Sequence, residues 1–249
     1  MLGNLDEVLA RIGPADRVLD VGGGLRPIAR ADVVLDSNPM ANIQSVLGGG
    51  APRFSEKSWI VHDVNDRRGF PFGDNEFDFV FCSHLLEDIR DPVFVCQEIA
   101  RVGKRGYIEV PSRESESSIG IQSGYFTGYM HHRWFVEHTG GGIVFTHKSP
   151  LIHEFPLLQC PSPRTPYLAV HWEGEVQAEE RLLYHSSEFA DDLIRAAIPW
   201  HPELPADEFT RRARAQMFPH EHPRSPIRKV YGRLSRATLR LRNAISLSA

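Results

Sequence analysis

The stretch Arg17-Val18-Leu19-Asp20-Val21-Gly22-Gly23-Gly24 decides how this chain is read. Val18, Leu19 and Val21 suit a short buried strand, Asp20 stands near its carboxyl end, and three glycines follow at once. Glycine turns tightly and lets the backbone approach a ligand that any Cβ would push away. In a sheet covered by helices on both faces, ligands bind beyond the carboxyl ends of the strands. A strand, an acid and a Gly-x-Gly turn therefore mark a candidate nucleoside site.

The neighbouring sequence repeats the theme. Val33-Val34-Leu35 ends in Asp36, Trp59-Ile60-Val61-His62 ends in Asp63, and Phe77–Cys82 ends in Ser83-His84. Asp91-Pro92 opens a helix whose apolar face is Val93, Val95, Ile99 and Val102, and Gly103 stops it. Tyr107–Val110 is a fifth strand before Pro111, and Asn4 caps an upstream helix over Leu5–Ile12. Eight residues, Pro27 among them, separate Gly24 from Val33, so a full crossover helix does not fit there. The alternation predicts an α/β fold, a doubly wound, mostly parallel sheet.

Past residue 110 the pattern changes. Residues 111–129 are rich in Ser and Gly and read as a mobile loop. Arg133–His138 and Ile143–His147 flank Thr139-Gly140-Gly141-Gly142 and predict a hairpin, and Tyr167–Trp172 a further strand. Ser187–Ile198 and Ala206–Met217 read as helices, and Val230, Leu234, Ala237, Leu241 and Ala244 fall on one face of a basic amphipathic helix. The domain reading is a cofactor-binding domain over 1–150, a substrate-shaping, largely helical extension over 151–223, and the basic helix over 224–249.

Composition narrows the class. The chain has 249 residues, 41% hydrophobic and 24% charged, which suits an ordinary globular protein. No apolar run reaches the about 18 residues of a membrane span, and the amino terminus lacks the pattern of a signal peptide. Cys82, Cys96 and Cys160 form no C-x-x-C pair, and the first two fall in apolar patterns, so a reduced cytoplasmic setting is expected. From Arg224 onward there are seven Arg or Lys and no acid, leaving 21 basic against 32 acidic residues before it. Residues 224–245 thus offer a surface for peripheral contact with an anionic membrane. The acidic body argues against nucleic acid as a partner.

Three strands ending in Asp20, Asp36 and Asp63 suit a nucleoside with an amino-acid tail, since an acid after the second strand can accept from both ribose hydroxyls. A dinucleotide site fits less well, because Gly-x-Gly-x-x-Gly is broken by Pro27. With Phe70-Pro71-Phe72-Gly73-Asp74-Asn75-Glu76-Phe77-Asp78-Phe79-Val80, Ser83-His84-Leu85-Leu86-Glu87 and Glu98-Ile99-Ala100-Arg101-Val102 following in order, residues 15–111 resemble the class I S-adenosylmethionine-dependent methyltransferases. Gly22-Gly23-Gly24, Pro27, Arg30-Ala31-Asp32, Arg105–Ser112 and His132-Arg133-Trp134 also resemble a narrower set of small methyltransferase-like proteins. The resemblance implies S-adenosylmethionine as cofactor. Asp20, Gly22, Gly23 and Gly24 would surround its methionine end, Asp36 with Ser37 its ribose, Asp63 with Val64 its adenine, and Ser83 with His84 its sulfonium. Three departures stand out: Arg26 where the family carries a third glycine, a short first crossover, and Asp88 where the family often has His after Glu87.

Methyl transfer to oxygen needs orientation and a proton acceptor, and histidine suits that role near neutral pH. His132 is the first candidate, then His131 and His84. His131, His132, His147 and His153 show no metal-ligand spacing with a nearby acid, so no metal is expected. Tyr125, Tyr129, Trp134, Trp172 and Trp200 offer faces for sugars or planar molecules. The expected reaction is O-methylation of a small molecule or a glycan. The alternative is a non-catalytic binding or scaffold protein on the same fold.

Overall fold

The computed structural model describes residues 4–140 and 142–219. The basic helix read over 224–249 lies outside the described residues. The chain divides into two compact units. One runs to Lys148 and resumes over Ser162–Leu183; the other takes Ser149–Pro161 and the chain from Tyr184. Residues 162–183, read from the sequence as part of the extension, fall in the first unit.

The first unit opens with α1 (Leu5–Ala10) and β1 (Val18–Val21), then β2 (Val33–Asp36), β3 (Trp59–Val61), β4 (Phe79–Ser83), α2 (Pro92–Val102) and β5 (Arg105–Pro111). Short α3 (Arg113–Glu116) follows, then β6 (Trp134–Thr139) and β7 (Gly142–His147). The second unit holds α4 (Leu151–Glu154), after which the chain returns to the first for β8 (Tyr167–Glu173) and β9 (Ala178–Arg181).

The main sheet runs β3-β2-β1-β4-β5-β8, parallel from β3 to β5, with β8 antiparallel along the whole of β5. Parallel strands need both faces covered, and β1, β2 and β4 are buried almost end to end. Alternate side chains serve two cores. Leu19, Val21, Leu35, Cys82 and Ile108 pack with Val95, Cys96, Ile99 and Val102 of α2, whereas Val18, Val34, Phe79, Phe81 and Tyr107 pack with Val8 and Ile12 on the other face. Cys82 and Cys96 are buried free thiols, as their apolar context implies. Helix α2 begins as expected: Asp91 caps it by accepting from Phe94 N at 2.9 Å, and Pro92 takes the first position.

Between β1 and β2 no helix forms. Residues 25–32 run as an irregular strap, tied down by a bridge between Ile28 and Leu47. The hairpin of β6 and β7 forms as expected. It pairs with β9 in a separate three-stranded sheet, so the chain after His131-His132 does not extend the main sheet, as a sixth strand there would. The Ser-rich segment after β5 also differs from a mobile loop. Ser112 caps α3 by accepting from Ser115 N at 3.1 Å, and Arg113, Ser115, Glu116, Ser117, Ser118 and Thr127 are buried.

In the second unit, α5 (Ser186–Ala197) and α6 (Ala206–Met217) are the two helices read from the sequence. They pack around Ala190, Leu193, Ile194, Phe209 and Ala213, and His201 stacks on Phe209 at 5.1 Å. Among the described residues no helix is long and apolar enough to cross a membrane.

Candidate active site

The parallel sheet winds in opposite directions from β1, with β2 on one side and β4 on the other. Ligands in such sheets sit beyond the carboxyl ends at that switch point. A cavity of about 560 Å³ opens there. Its floor is Asp20 and the turn Gly22–Gly24. Gly22 N donates to Leu35 O at 2.9 Å, tying the turn to β2. Gly24 has φ +32°, and a Cβ there would lie 2.9 Å from Asp36 Oδ2. Glycine is thus what lets the turn and the β2 carboxylate share one wall.

Asp20 is 2% exposed and its Oδ2 accepts from Ile28 N at 2.9 Å. Burial pushes its carboxyl up to about 7 against the pull of that hydrogen bond, and the nearby Asp36 adds to the rise. Asp36 is buried at the end of β2, its Oδ1 accepting from Asn38 N at 2.7 Å and Asn38 Nδ2 at 3.0 Å. Two buried carboxylates facing one cavity suit a cation and paired hydroxyls. Arg26, the residue at the departed glycine position, stands exposed on the rim with no ion pair among the described residues.

His84 follows β4 with φ +53°, a left-handed conformation that non-glycine residues rarely hold outside functional or tightly determined sites. Its backbone N donates to Glu109 O at 2.9 Å. Its ring lies between two carboxylates, Nδ1 3.4 Å from Glu87 and Nε2 3.4 Å from Glu109, with Tyr167 edge-on at 5.2 Å. Burial opposes the charge on this imidazole, but Glu109 and Glu87 outweigh it and raise its pKa to about 9.

His132, also in the lining, stacks on Tyr129 at 4.4 Å and its Nδ1 lies 2.6 Å from Glu116 Oε1. Glu116 is fully buried, and Lys148 Nζ donates to its second oxygen at 2.5 Å and to Tyr129 O at 2.8 Å. Burial alone would raise the Glu116 carboxyl; His132 and Lys148 together hold it below its usual range. With that carboxylate accepting, Nδ1 of His132 is the donor of the pair. Nε2 of His132 is 3.8 Å from Asp88 Oδ1, and Nε2 of His131 is 3.7 Å from Asp88 Oδ2.

Of the residues expected at the site, Asp20, Gly22, Gly23, Gly24, Asp36, Ser37, Ser83, His84, His131 and His132 all line this cavity. Asp63 and Val64 do not. Strand β3 ends with Val61 opposite Asp36, so Asp63 lies in the turn beyond, exposed, accepting from Asn65 N at 2.9 Å and Asn65 Nδ2 at 3.1 Å. Val64 is buried in the core. His147 packs near Trp134 and, like His153, lies outside the cavity lining. Of the five aromatic candidates Tyr129 lines it. Sequence reasoning missed Asn38, Leu47, Glu87, Asp88, Gln122 and Tyr167 as lining residues. Glu87 carried a legible signal, since an acid directly after Leu85-Leu86 is drawn into the core with them.

Residues 37–108 match the family model described as a methyltransferase domain. No curated protein matches the chain. Among solved structures, a complex of the Haloferax volcanii Trm112 methyltransferase activator with a candidate methyltransferase is 24% identical, covering 44% of this chain and 51% of that one, at a TM-score of 0.33. An S-adenosylmethionine-dependent methyltransferase from Mesorhizobium loti is 11% identical over 58% of this chain and 64% of that one, at 0.34. Haemonchus contortus phosphoethanolamine N-methyltransferase 2, in complex with phosphomonomethylethanolamine and S-adenosylhomocysteine, is 20% identical over 44% and 28%, at 0.31. The chain spans about half the length of the first structures it matches. All three TM-scores fall below 0.5. The cofactor of this domain type is S-adenosylmethionine, and the glycine cradle with its two buried carboxylates has the chemistry to take it. The sheet wound around this crevice is that of a Rossmann-like α/β fold, and the stretch from the end of β2 into β5 is similar to a methyltransferase domain.

Proposed function

We propose that the chain is an S-adenosylmethionine-dependent methyltransferase that O-methylates a small molecule or a glycan. One observation carries the reading: a single cavity is lined both by Asp20, Asp36 and the glycine turn and by His131, His132 and Asp88. When bound, S-adenosylmethionine supplies an electrophilic methyl group on a sulfonium sulfur, which passes to an acceptor lone pair and leaves a neutral thioether. Asp36 and Ser37 would hold the ribose hydroxyls, Asp20 would ionise against the ammonium group, and Arg26 would receive the carboxylate. Asn38 and Leu47, which line the cavity where Asp63 and Val64 do not, would border the adenine. Ser83 and His84 stand beside the reacting centre, and His84, being cationic at neutral pH, orients an acceptor oxygen rather than deprotonating it. His132, oriented by Glu116, activates the acceptor hydroxyl through Nε2. Tyr129 and Tyr167 supply flat faces for a ring.

Placement of Asp63 outside the cavity favours a second reading, a binding protein that retains the fold without turnover. Release of S-adenosylhomocysteine from S-adenosylmethionine in the presence of alcohols, phenols and sugars separates the two. Turnover with a hydroxyl acceptor is the expected result. Tight cofactor binding with no turnover on any acceptor would support the second reading.

A further inference from the structure

We infer that Asp88, His131 and His132 form a binding site for a divalent first-row transition cation such as Zn²⁺, set in the lining of this cavity. One ligand atom from each residue lies within 4.8 Å of the other two. The two His–Asp separations of 3.7 and 3.8 Å are too long for direct hydrogen bonds. Four-coordinate zinc with bonds of about 2.1 Å spaces its ligands about 3.4 Å apart, so the set, whose His–Asp contacts fall on different carboxylate oxygens, closes around the ion by at most about 1.4 Å.

Three further observations point to a cation. Asp88 Oδ1 is buried and has no hydrogen-bond partner among the described residues. Glu87 is fully buried, neither of its oxygens has a well-formed hydrogen bond, and Oε1 lies 3.4 Å from His84 Nδ1 and 4.0 Å from His132 Nε2. His132 gives its Nδ1 proton to Glu116, itself pinned by Lys148, which is the outer support that metal-ligating histidines characteristically have. The charges agree with this. Glu87, Asp88, Glu109 and Glu116 meet here, with His84 and Lys148 as the cations in contact with them, a formal excess of two negative charges.

Three protein ligands on an open cavity leave coordination positions for a substrate oxygen, the pattern of catalytic rather than structural metal sites. The inference rests on the methyl-transfer reading only for the cation's effect. With its Nε2 on the cation, His132 serves as a ligand rather than as the base: an acceptor hydroxyl bound there is acidified, its proton leaves to solvent in the open cavity, and the oxygen keeps the electron pair that receives the methyl group.

Cobalt(II) replaces zinc and reports low coordination number by its visible absorption. The full chain, freed of metal with chelator, is titrated with Co²⁺ and then with Zn²⁺. One cobalt per chain is expected, with the visible bands of a nitrogen- and oxygen-ligated four- or five-coordinate ion, displaced by zinc. His131→Ala changes a half-exposed side chain, so the fold does not depend on it, and it should weaken binding by at least tenfold, as should Asp88→Asn. His147→Ala, outside the cavity, should leave it unchanged. A folded wild type without the cobalt bands, or variants at Asp88 and His131 that bind as tightly as wild type, would overturn the site. S-adenosylhomocysteine titration of the metal-free protein keeps the two readings apart. Binding without cobalt bands removes the metal site alone, and cobalt bands without nucleoside binding remove the methyl-transfer reading alone.

Discussion

Glu116 holds His132 with one carboxylate oxygen, 2.6 Å from Nδ1, and Lys148 with the other, 2.5 Å from Nζ. A buried charge that loses its partner costs about 3–5 kcal/mol. Glu116→Gln should therefore lower stability by about that amount and shift the thermal midpoint down, because Lys148 keeps a buried ammonium without a counterion. Adding Lys148→Met to that variant should recover part of the loss, and calorimetric melts of the single and double variants check it.

Asp20 predicts a trade of stability against binding. Its carboxyl titrates at about 7 in the folded protein against 3.8 for a free side chain. A raised acid destabilises the fold as it ionises, so stability is full below pH 3.8 and declines as pH rises through about 7. Asp20→Asn keeps an acceptor for Ile28 N and should stabilise the free protein at pH 8 by about 1–3 kcal/mol. The same change should weaken S-adenosylhomocysteine, which loses an anionic partner for its ammonium group. In wild type that affinity should rise between pH 6 and 8, on the order of tenfold per unit at most, with one proton released on binding in calorimetry across buffers.

His84 should titrate in the opposite sense. Its folded pKa of about 9 lies above the usual 6.5, so its pairing with Glu109 and Glu87 stabilises the protein fully below pH 6.5 and ceases to do so as pH rises through about 9. Proton NMR of the histidine rings should find one resonance with its midpoint near 9, absent in His84→Gln and moved toward 6.5 in Glu109→Gln.

The fold was legible because its signals are local. Val18–Val21, Val33–Asp36 and Phe79–Ser83 are apolar runs that end in acids, serine or glycine, and parallel strands buried on both faces read as such runs. The glycine-turn part of the cavity lining was legible for the same reason, since Asp20, Asp36 and Ser83 stand at or next to strand ends. Asp63 lies outside the lining because β3 stops two residues short of it, and an Asx turn with Asn65 serves its carboxylate instead. The surroundings of His131 and His132 were not legible. Glu116 meets His132 and Lys148 across 16 and 32 residues, and its serine-rich surroundings look solvated until those partners bury them. Asp88 meets His131 and His132 across more than forty residues, a distance no spacing motif spans.

The central claim is that the glycine turn, Asp20 and Asp36 form a nucleoside site. Calorimetric titration of S-adenosylhomocysteine into wild type and Asp36→Ala tests it most directly. Saturable one-to-one binding to wild type, weakened at least tenfold in Asp36→Ala with the melting profile retained, is the predicted result. A folded wild type that takes up no S-adenosylhomocysteine, or an Asp36→Ala variant that binds it equally well, would contradict the account.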